Sequence, residues 1–273
     1  MNYRHAFHAG NFADLVKHAC LTAALAEMTA SGPPLQVIDT HAGAGLYDLG
    51  GEDARRTAEA ERGVYALLAD RSAPAVFAPL KARIAKLNGG KDARLYPGSP
   101  LLVAAALRKA DTLVACELRP EEAGRLRVAL KQSRGCEVVI ADGFTLAPRI
   151  KPGQPALVLI DPPFERGDDY DQIVRLTAGV LRRNRGAVVM AWTPLKDLET
   201  FDGFLRGLEA IRPPRALVIE ARLRPLDDPM RLNGCALVVV NPPAGLEPAA
   251  QSACDWVVAK LGSAGGRARV WGL

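Results

Sequence analysis

Leu35-Gln36-Val37-Ile38-Asp39-Thr40-His41-Ala42-Gly43-Ala44-Gly45 carries a short apolar run directly into a glycine-rich turn. A run of this length, bounded by turn residues, predicts a buried strand over Leu35–Thr40. The glycines after it let backbone approach a ligand closely, at the carboxyl edge where open α/β sheets bind. Gly-x-Gly alone is a weak sign, because dinucleotide-binding folds and plain turns share it. The dinucleotide pattern also needs a third glycine and an acidic residue about 20 positions on. Here Asp48 comes too early and no second strand precedes it, so that reading loses ground.

Outward from this stretch the pattern repeats. Strands are expected at Thr112–Glu117, Glu137–Ala141, Ala156–Ile160, Ala187–Trp192, Ala216–Ala221 and Cys235–Asn241. Longer Ala/Leu/Arg-rich segments separate most of them, which predicts an α/β fold with a mostly parallel sheet. In Pro120–Gln132, Leu126, Val128, Ala129 and Leu130 supply apolar positions, while Pro120, Glu121 and Glu122 suit a helix start. No helix fits between the last two strands, so they are expected to pair antiparallel and close the edge of a seven-stranded sheet. Gly50–Gly98 is far longer than one crossover requires. Its first half and Ala78–Leu87 read as helices, ending at Asn88-Gly89-Gly90. It is either a surface elaboration or a subdomain gripping substrate through Arg55, Arg56, Arg62, Lys81, Arg83 and Lys86. The expected division is a main domain of residues 1–49 and 99–273, with a helical lid in 1–30, and an insertion of 50–98.

Composition agrees with a single well-cored α/β domain: 273 residues, 49% of them hydrophobic. The longest apolar runs, such as Ala236–Val240 and Ala187–Trp192, are strand-sized, so no membrane span is expected. Met1-Asn2-Tyr3-Arg4-His5 lacks an apolar signal core, and a cytoplasmic location is expected. Cys20, Cys116, Cys136, Cys235 and Cys254 are scattered and form no CxxC pair, arguing against a disulfide framework or zinc finger. A net charge of +5 leans mildly toward a polyanionic partner.

Three strand ends carry polar chemistry. After the glycine turn comes Glu117, whose carboxylate can accept hydrogen bonds from ribose hydroxyls. Ala141-Asp142-Gly143 ends the next strand, where Asp142 can accept from an adenine amino group and Gly143 keeps the slot open. Together they favour a cofactor containing both ribose and adenine. The decisive motif is Asp161-Pro162-Pro163-Phe164, directly after Leu157–Ile160. Consecutive prolines remove backbone donors and stiffen the turn. The Asp161 carboxylate and Pro162 carbonyl can then accept both hydrogens of one exocyclic amine, while Phe164 stacks on a flipped base. Two acceptors favour a more tetrahedral nitrogen and free its lone pair to attack a sulfonium methyl in line. Asn241-Pro242-Pro243-Ala244 also follows a strand but lacks the aromatic, and reads as a structural turn.

All 4 histidines, His5, His8, His18 and His41, fall near the N-terminus. His5 and His8 are spaced as zinc ligands can be, but no Cys/His/acid cluster completes a set, so no metal is expected. The alternative is that Tyr3-Arg4-His5 and a helix over Asn11–Ala24 fold over cofactor and base as an RNA-contacting lid.

Tyr3-Arg4-His5, Phe7-His8-Ala9-Gly10-Asn11, Lys17-His18, the Asp39–Gly45 turn, Tyr96-Pro97-Gly98-Ser99-Pro100, Ala141-Asp142-Gly143-Phe144 and Asp161-Pro162-Pro163-Phe164 together resemble the bacterial 23S ribosomal RNA adenine-N6 methyltransferase J family over nearly the whole chain. The resemblance implies a Rossmann-like class I fold dependent on S-adenosyl-L-methionine (SAM), with S-adenosyl-L-homocysteine as product, no metal, and a helical insertion after the first strand. By motif position it implies that His18, His41, Ser99, Glu117, Asp142, Gly143 and Asp161 contact SAM, beside the loop glycines Gly43 and Gly45. Asp161 is then the catalytic residue and Tyr3 a substrate contact, joined by Arg4, Pro162 and Phe164. The implied partner is 23S RNA, protein-free or in an early assembly intermediate, acted on by a monomer. Phe164 stands where a close relative has Tyr; stacking survives, but a hydroxyl hydrogen bond is lost. Around Glu117 only the Glu and Leu118 match, so its ribose role rests on position. The Asp-Pro-Pro-aromatic turn does not separate RNA from DNA, although no target-recognition domain of the DNA enzymes is visible. A protein-glutamine methyltransferase usually has Asn in place of Asp161. A catalytically silent RNA-binding module is the reading from a different class.

Overall fold

Val37 and Ile38 are consecutive in one strand and enter two different cores, because successive strand side chains point to opposite faces. The structure, a computed structural model, describes residues 8–51, 59–228 and 231–273. Tyr3, Arg4, His5, Arg55 and Arg56 therefore lie outside the described residues. The main sheet contains β1 (Gln36–Asp39), β4 (Thr112–Glu117), β5 (Cys136–Ile140), β6 (Ala156–Ile160), β7 (Val188–Leu195), β8 (Ala216–Arg222), β9 (Gly234–Val240) and β10 (Arg267–Gly272). Its order is β10-β8-β9-β7-β6-β1-β4-β5. Pairing is parallel from β5 to β7, and β9 then runs antiparallel to both β7 and β8.

The sheet has eight strands, not the expected seven. β8 and β9 pair antiparallel as their spacing suggested, but β10 adds antiparallel to β8 and takes the outer edge. Its sequence, Arg267-Ala268-Arg269-Val270-Trp271-Gly272, alternates and stays partly exposed, unlike the continuous apolar strands of the interior. That contrast follows from burial: inner strands covered on both faces read as unbroken Val/Ile/Leu runs.

One face of the sheet is covered by α1 (Phe12–Thr29), α4 (Ser99–Ala106), α5 (Pro120–Leu130) and α8 (Leu246–Leu261). The other is covered by α6 (Asp169–Arg183) and α7 (Leu198–Ala210). Asn11 starts α1 by accepting the Asp14 amide at 3.0 Å on its side-chain oxygen, an N-cap of the usual kind.

Between β1 and β4 the chain leaves and returns through a small antiparallel pair, β2 (Leu46–Asp48) and β3 (Leu95–Pro97). Within that excursion lie a π-helical turn Glu61–Tyr65, α2 (Ala66–Ala69) and α3 (Ala78–Leu87). Its apolar side chains Val64, Leu67, Phe77, Leu80 and Ile84 join the same core as α1 and α8. Phe77 meets Trp256 of α8 edge-on at 5.2 Å. Asn241-Pro242-Pro243 follows antiparallel β9 and so falls at the opposite sheet edge from the ends of β1 and β6. There Asn241, at φ 52, donates its side-chain amide to the carbonyls of Arg185 and Ala187. No helix among the described residues is long and apolar enough to cross a membrane.

Candidate functional site

The carboxyl ends of β1, β4, β5 and β6 open onto one cleft of about 260 Å³. His41, Gly43, Glu117, Asp142, Gly143 and Asp161 all line it, as do His18 from α1 and Ser99 at the start of α4. Gly45, Pro162 and Phe164 do not line it. Gly45, at φ +76, faces α5, where an added Cβ would stand 2.7 Å from Leu126.

Gly43 holds φ +61, a left-handed conformation that favours glycine, and its amide donates to Glu117 Oε2 at 3.0 Å. Glu117 Oε1 accepts the Arg119 amide at 2.8 Å. A carboxylate has about four lone-pair sites, so Glu117 keeps acceptor capacity toward the cleft for a diol. Asp142 caps the following turn, accepting the Phe144 amide at 3.0 Å. Gly143 crosses beneath the end of β1 so closely that a Cβ there would lie 2.0 Å from the Thr40 carbonyl oxygen. Only a residue without a side chain permits that crossing.

The two histidines of the cleft differ. His18 is fully buried, its Nδ1 2.8 Å from the Tyr96 hydroxyl. His41 Nδ1 lies 2.8 Å from Thr40 Oγ1, whose single hydrogen goes to the Leu159 carbonyl. With the Thr40 hydrogen so placed, the consistent tautomer of His41 carries its proton on Nδ1 and presents Nε2 as an acceptor. Burial pushes the His41 pKa down to about 4, against the pull of Asp161 and Asp142, and the ring is neutral at pH 7. Its edge meets Phe144 at 4.9 Å.

Asp161 is held by a residue that motif reading left without a role. Lys17 Nζ sits 2.5 Å from Asp161 Oδ2 and 2.8 Å from Asp14 Oδ1, with its side chain 5% exposed. Burial opposes the charge, but Asp14 and Asp161 outweigh it and raise the Lys17 pKa well above the ordinary lysine value. Asp39, at the end of β1, is buried beside this group. Burial pushes its carboxyl up to about 7, with Asp161 adding to the rise and Ser99 and Lys17 opposing it. Lys17 also stands over the Trp192 ring at 5.9 Å.

Phe164 ends the Asp161-Pro162-Pro163-Phe164 turn at φ 52, which is uncommon for a non-glycine residue and marks a constrained turn. Its ring packs on Tyr170 at 5.0 Å and edge-on to Trp192 at 5.7 Å. Sequence reading quoted Lys17 and Asp39 within motifs without giving them a role, and missed Asp14 and Trp192. The one available signal was Lys17 beside His18, with Asp14 one helical turn earlier. No group of His, Cys, Asp or Glu among the described residues is arranged to hold a metal ion.

The family model described as "Ribosomal RNA large subunit methyltransferase D, RlmJ" matches residues 32–273. The chain belongs to this family. It is 33% identical over 267 residues to "Ribosomal RNA large subunit methyltransferase J" of Escherichia coli (strain K12), covering 97% of this chain and 95% of that protein. It is 35% identical over 253 residues to the protein of the same name from Haemophilus influenzae, covering 90% and 89%. A crystal structure of a Legionella pneumophila protein superposes with a TM-score of 0.89 at 28% identity, covering 97% of this chain and 98% of that one.

Proposed function

We propose that this protein transfers a methyl group from SAM to the N6 amine of an adenine in 23S ribosomal RNA. The observation carrying the reading is the Asp161 carboxylate, fixed by Lys17 in the same cleft as the Glu117 and Asp142 carboxylates and the Gly43 loop. Membership in a family named for large-subunit ribosomal RNA methylation supports the substrate class.

The cleft suits SAM on its own geometry. Glu117 offers acceptors for ribose hydroxyls, Asp142 for the adenine amine, and His41 Nε2 a further acceptor, beside backbone that only Gly43 and Gly143 allow. Gly45, read from sequence as a cofactor contact, would act indirectly by letting the loop pack on α5. When bound, SAM supplies an electrophilic sulfonium methyl. The protein's part is to prepare the amine. Lys17 occupies one lone pair of Asp161 and fixes the side chain in place. The remaining Asp161 lone pairs and the Pro162 carbonyl accept the two amine hydrogens, drawing the nitrogen toward tetrahedral geometry, and Phe164 lends the base a stacking edge. Orientation supplies much of the rate, and the proton that the methylated, cationic nitrogen sheds leaves through the acceptors to solvent, so Asp161 need not be a strong base. Tyr3 and Arg4, outside the described residues, are proposed as RNA contacts.

Labelled methyl transfer from SAM to protein-free 23S RNA, with 16S RNA and genomic DNA alongside, tests the reading. Label on 23S RNA alone, recovered as N6-methyladenosine, is expected. Label on DNA would keep the chemistry and overturn the substrate.

A further inference from the structure

The root of the N-terminal segment and residues 59–64 are joined by contacts that the chemistry of the cleft does not itself require. Glu59 takes His8 Nδ1 on its two oxygens at 3.0 and 3.1 Å and the Asn11 side-chain amide at 3.0 Å. Beside it, the Val64 amide donates to the Gly10 carbonyl at 2.8 Å. A Cβ on Gly63 would lie 2.0 Å from that same oxygen, and one on Gly10 would lie 2.9 Å from Val64 Cγ1. Gly10 also holds φ +78. Gly63 therefore meets backbone and Gly10 meets the Val64 side chain, with no room for a side chain at either glycine. The turn Glu61–Tyr65 is π-helical and non-helical at Arg62 and Gly63, the local distortion that brings Gly63 against Gly10.

The same root continues into the active cleft. The Gly10 amide donates to Asp14 Oδ2 at 2.9 Å, Asp14 Oδ1 pairs with Lys17 at 2.8 Å, and Lys17 pairs with Asp161 at 2.5 Å. We propose that Glu59 is a positioning residue: with Gly63 and Val64 it clasps residues 8–11 and, through Asp14 and Lys17, sets the Asp161 carboxylate. Residues 59–64 thereby have a task in the reaction other than gripping RNA. A half-exposed ion pair alone contributes little. Here the carboxylate also holds Asn11, the N-cap of α1, and the glycine junction locks the approach. The inference rests on the methyltransferase reading.

The test uses the full-length protein with SAM and 23S RNA. Glu59→Ala is expected to lower kcat roughly tenfold or more while the Kd for SAM stays within about twofold. Glu59→Gln, whose amide oxygen still accepts from Asn11 while its NH2 donates to a neutral His8 Nδ1, should keep kcat within about threefold. Gly63→Ala should reproduce the Glu59→Ala pattern without any change of charge, and Glu61→Ala, an exposed carboxylate in the same turn, should behave as wild type. Melting curves confirm that each variant is folded. Amide hydrogen exchange gives a readout independent of turnover: the Gly10 and Val64 amides should lose protection in Glu59→Ala while strand amides keep theirs. An unchanged kcat, an equal loss in SAM binding, or an equal effect of Glu61→Ala would overturn the proposal. If the wild type fails to methylate 23S RNA, the functional reading fails. The clasp then stands or falls on exchange at Gly10 and Val64.

Discussion

Replacing Lys17 by Met keeps most of the aliphatic volume and removes the cation between Asp14 and Asp161. The three side chains are 5%, 3% and 16% exposed, so the two carboxylates are left facing each other with little water. Breaking a buried pair from one side costs about 3–5 kcal/mol, mostly the penalty of the uncompensated charge. Against a total of about 5–15 kcal/mol, the variant still folds. At about 2–4 °C per kcal/mol for a chain of this size, its melting midpoint falls by roughly 6–20 °C. The raised Lys17 pKa fixes the pH window: its contribution is complete below 10.5 and is lost only as pH rises through the higher folded value. Denaturant unfolding near neutral pH therefore reads all of it. Adding Asp161→Asn removes one of the orphaned charges, so the double variant should be more stable than the two single losses summed, with a coupling of about 2 kcal/mol. A coupling below about 0.5 kcal/mol would refute the claim that Lys17 and Asp161 act as a pair. In the methylation assay Lys17→Met should lose on the order of a hundredfold in rate, since a carboxylate displaced by about an ångström no longer grips the amine.

Asp161→Ala should abolish methylation in a folded protein; near-normal turnover would remove Asp161 from the mechanism. Gly143→Ala places a Cβ where the Thr40 carbonyl stands, 2.0 Å away. Chemical denaturation should show a loss of about 1–3 kcal/mol, with weaker SAM binding by calorimetry. His41 and Asp39 should give opposite pH trends. The His41 contribution is full above 6.5 and lost as pH falls through about 4. That of Asp39 is full below 3.8 and lost as pH rises through about 7. Stability measured across that range should therefore decline less toward acid in His41→Asn, and less toward alkali in Asp39→Asn, than in wild type. Two variants that track the wild-type curve would contradict both assignments.

Much of the architecture is readable because the interior strands are covered on both faces. Leu157–Ile160 and Ala236–Val240 are continuous apolar runs for that reason, and a polar or glycine-rich turn follows each interruption. The glycine turn, Glu117, Asp142 and Asp161 are legible as strand-end residues because parallel strands deliver their ends to one edge. β10 was not read, since an edge strand with Arg267 and Arg269 on its exposed face resembles a polar tail. The excursion after β2 reads as helical from its composition, but nothing local shows that Phe77 packs on Trp256, far along the chain.

By itself the sequence determined most of the main-sheet strands and which residues stand at the ends of β1, β4, β5 and β6, because these depend on neighbours within a few residues. Only the tertiary structure decided that Lys17 meets Asp161 across 144 positions and that Glu59 holds His8 and Asn11 across 51 and 48. Periodicity shows which face of a helix is buried, as it does for α6, whereas α1 is buried all round from Phe12 to Thr22. It carries no information about which charge waits on the other side, and that is set by how the layers stack.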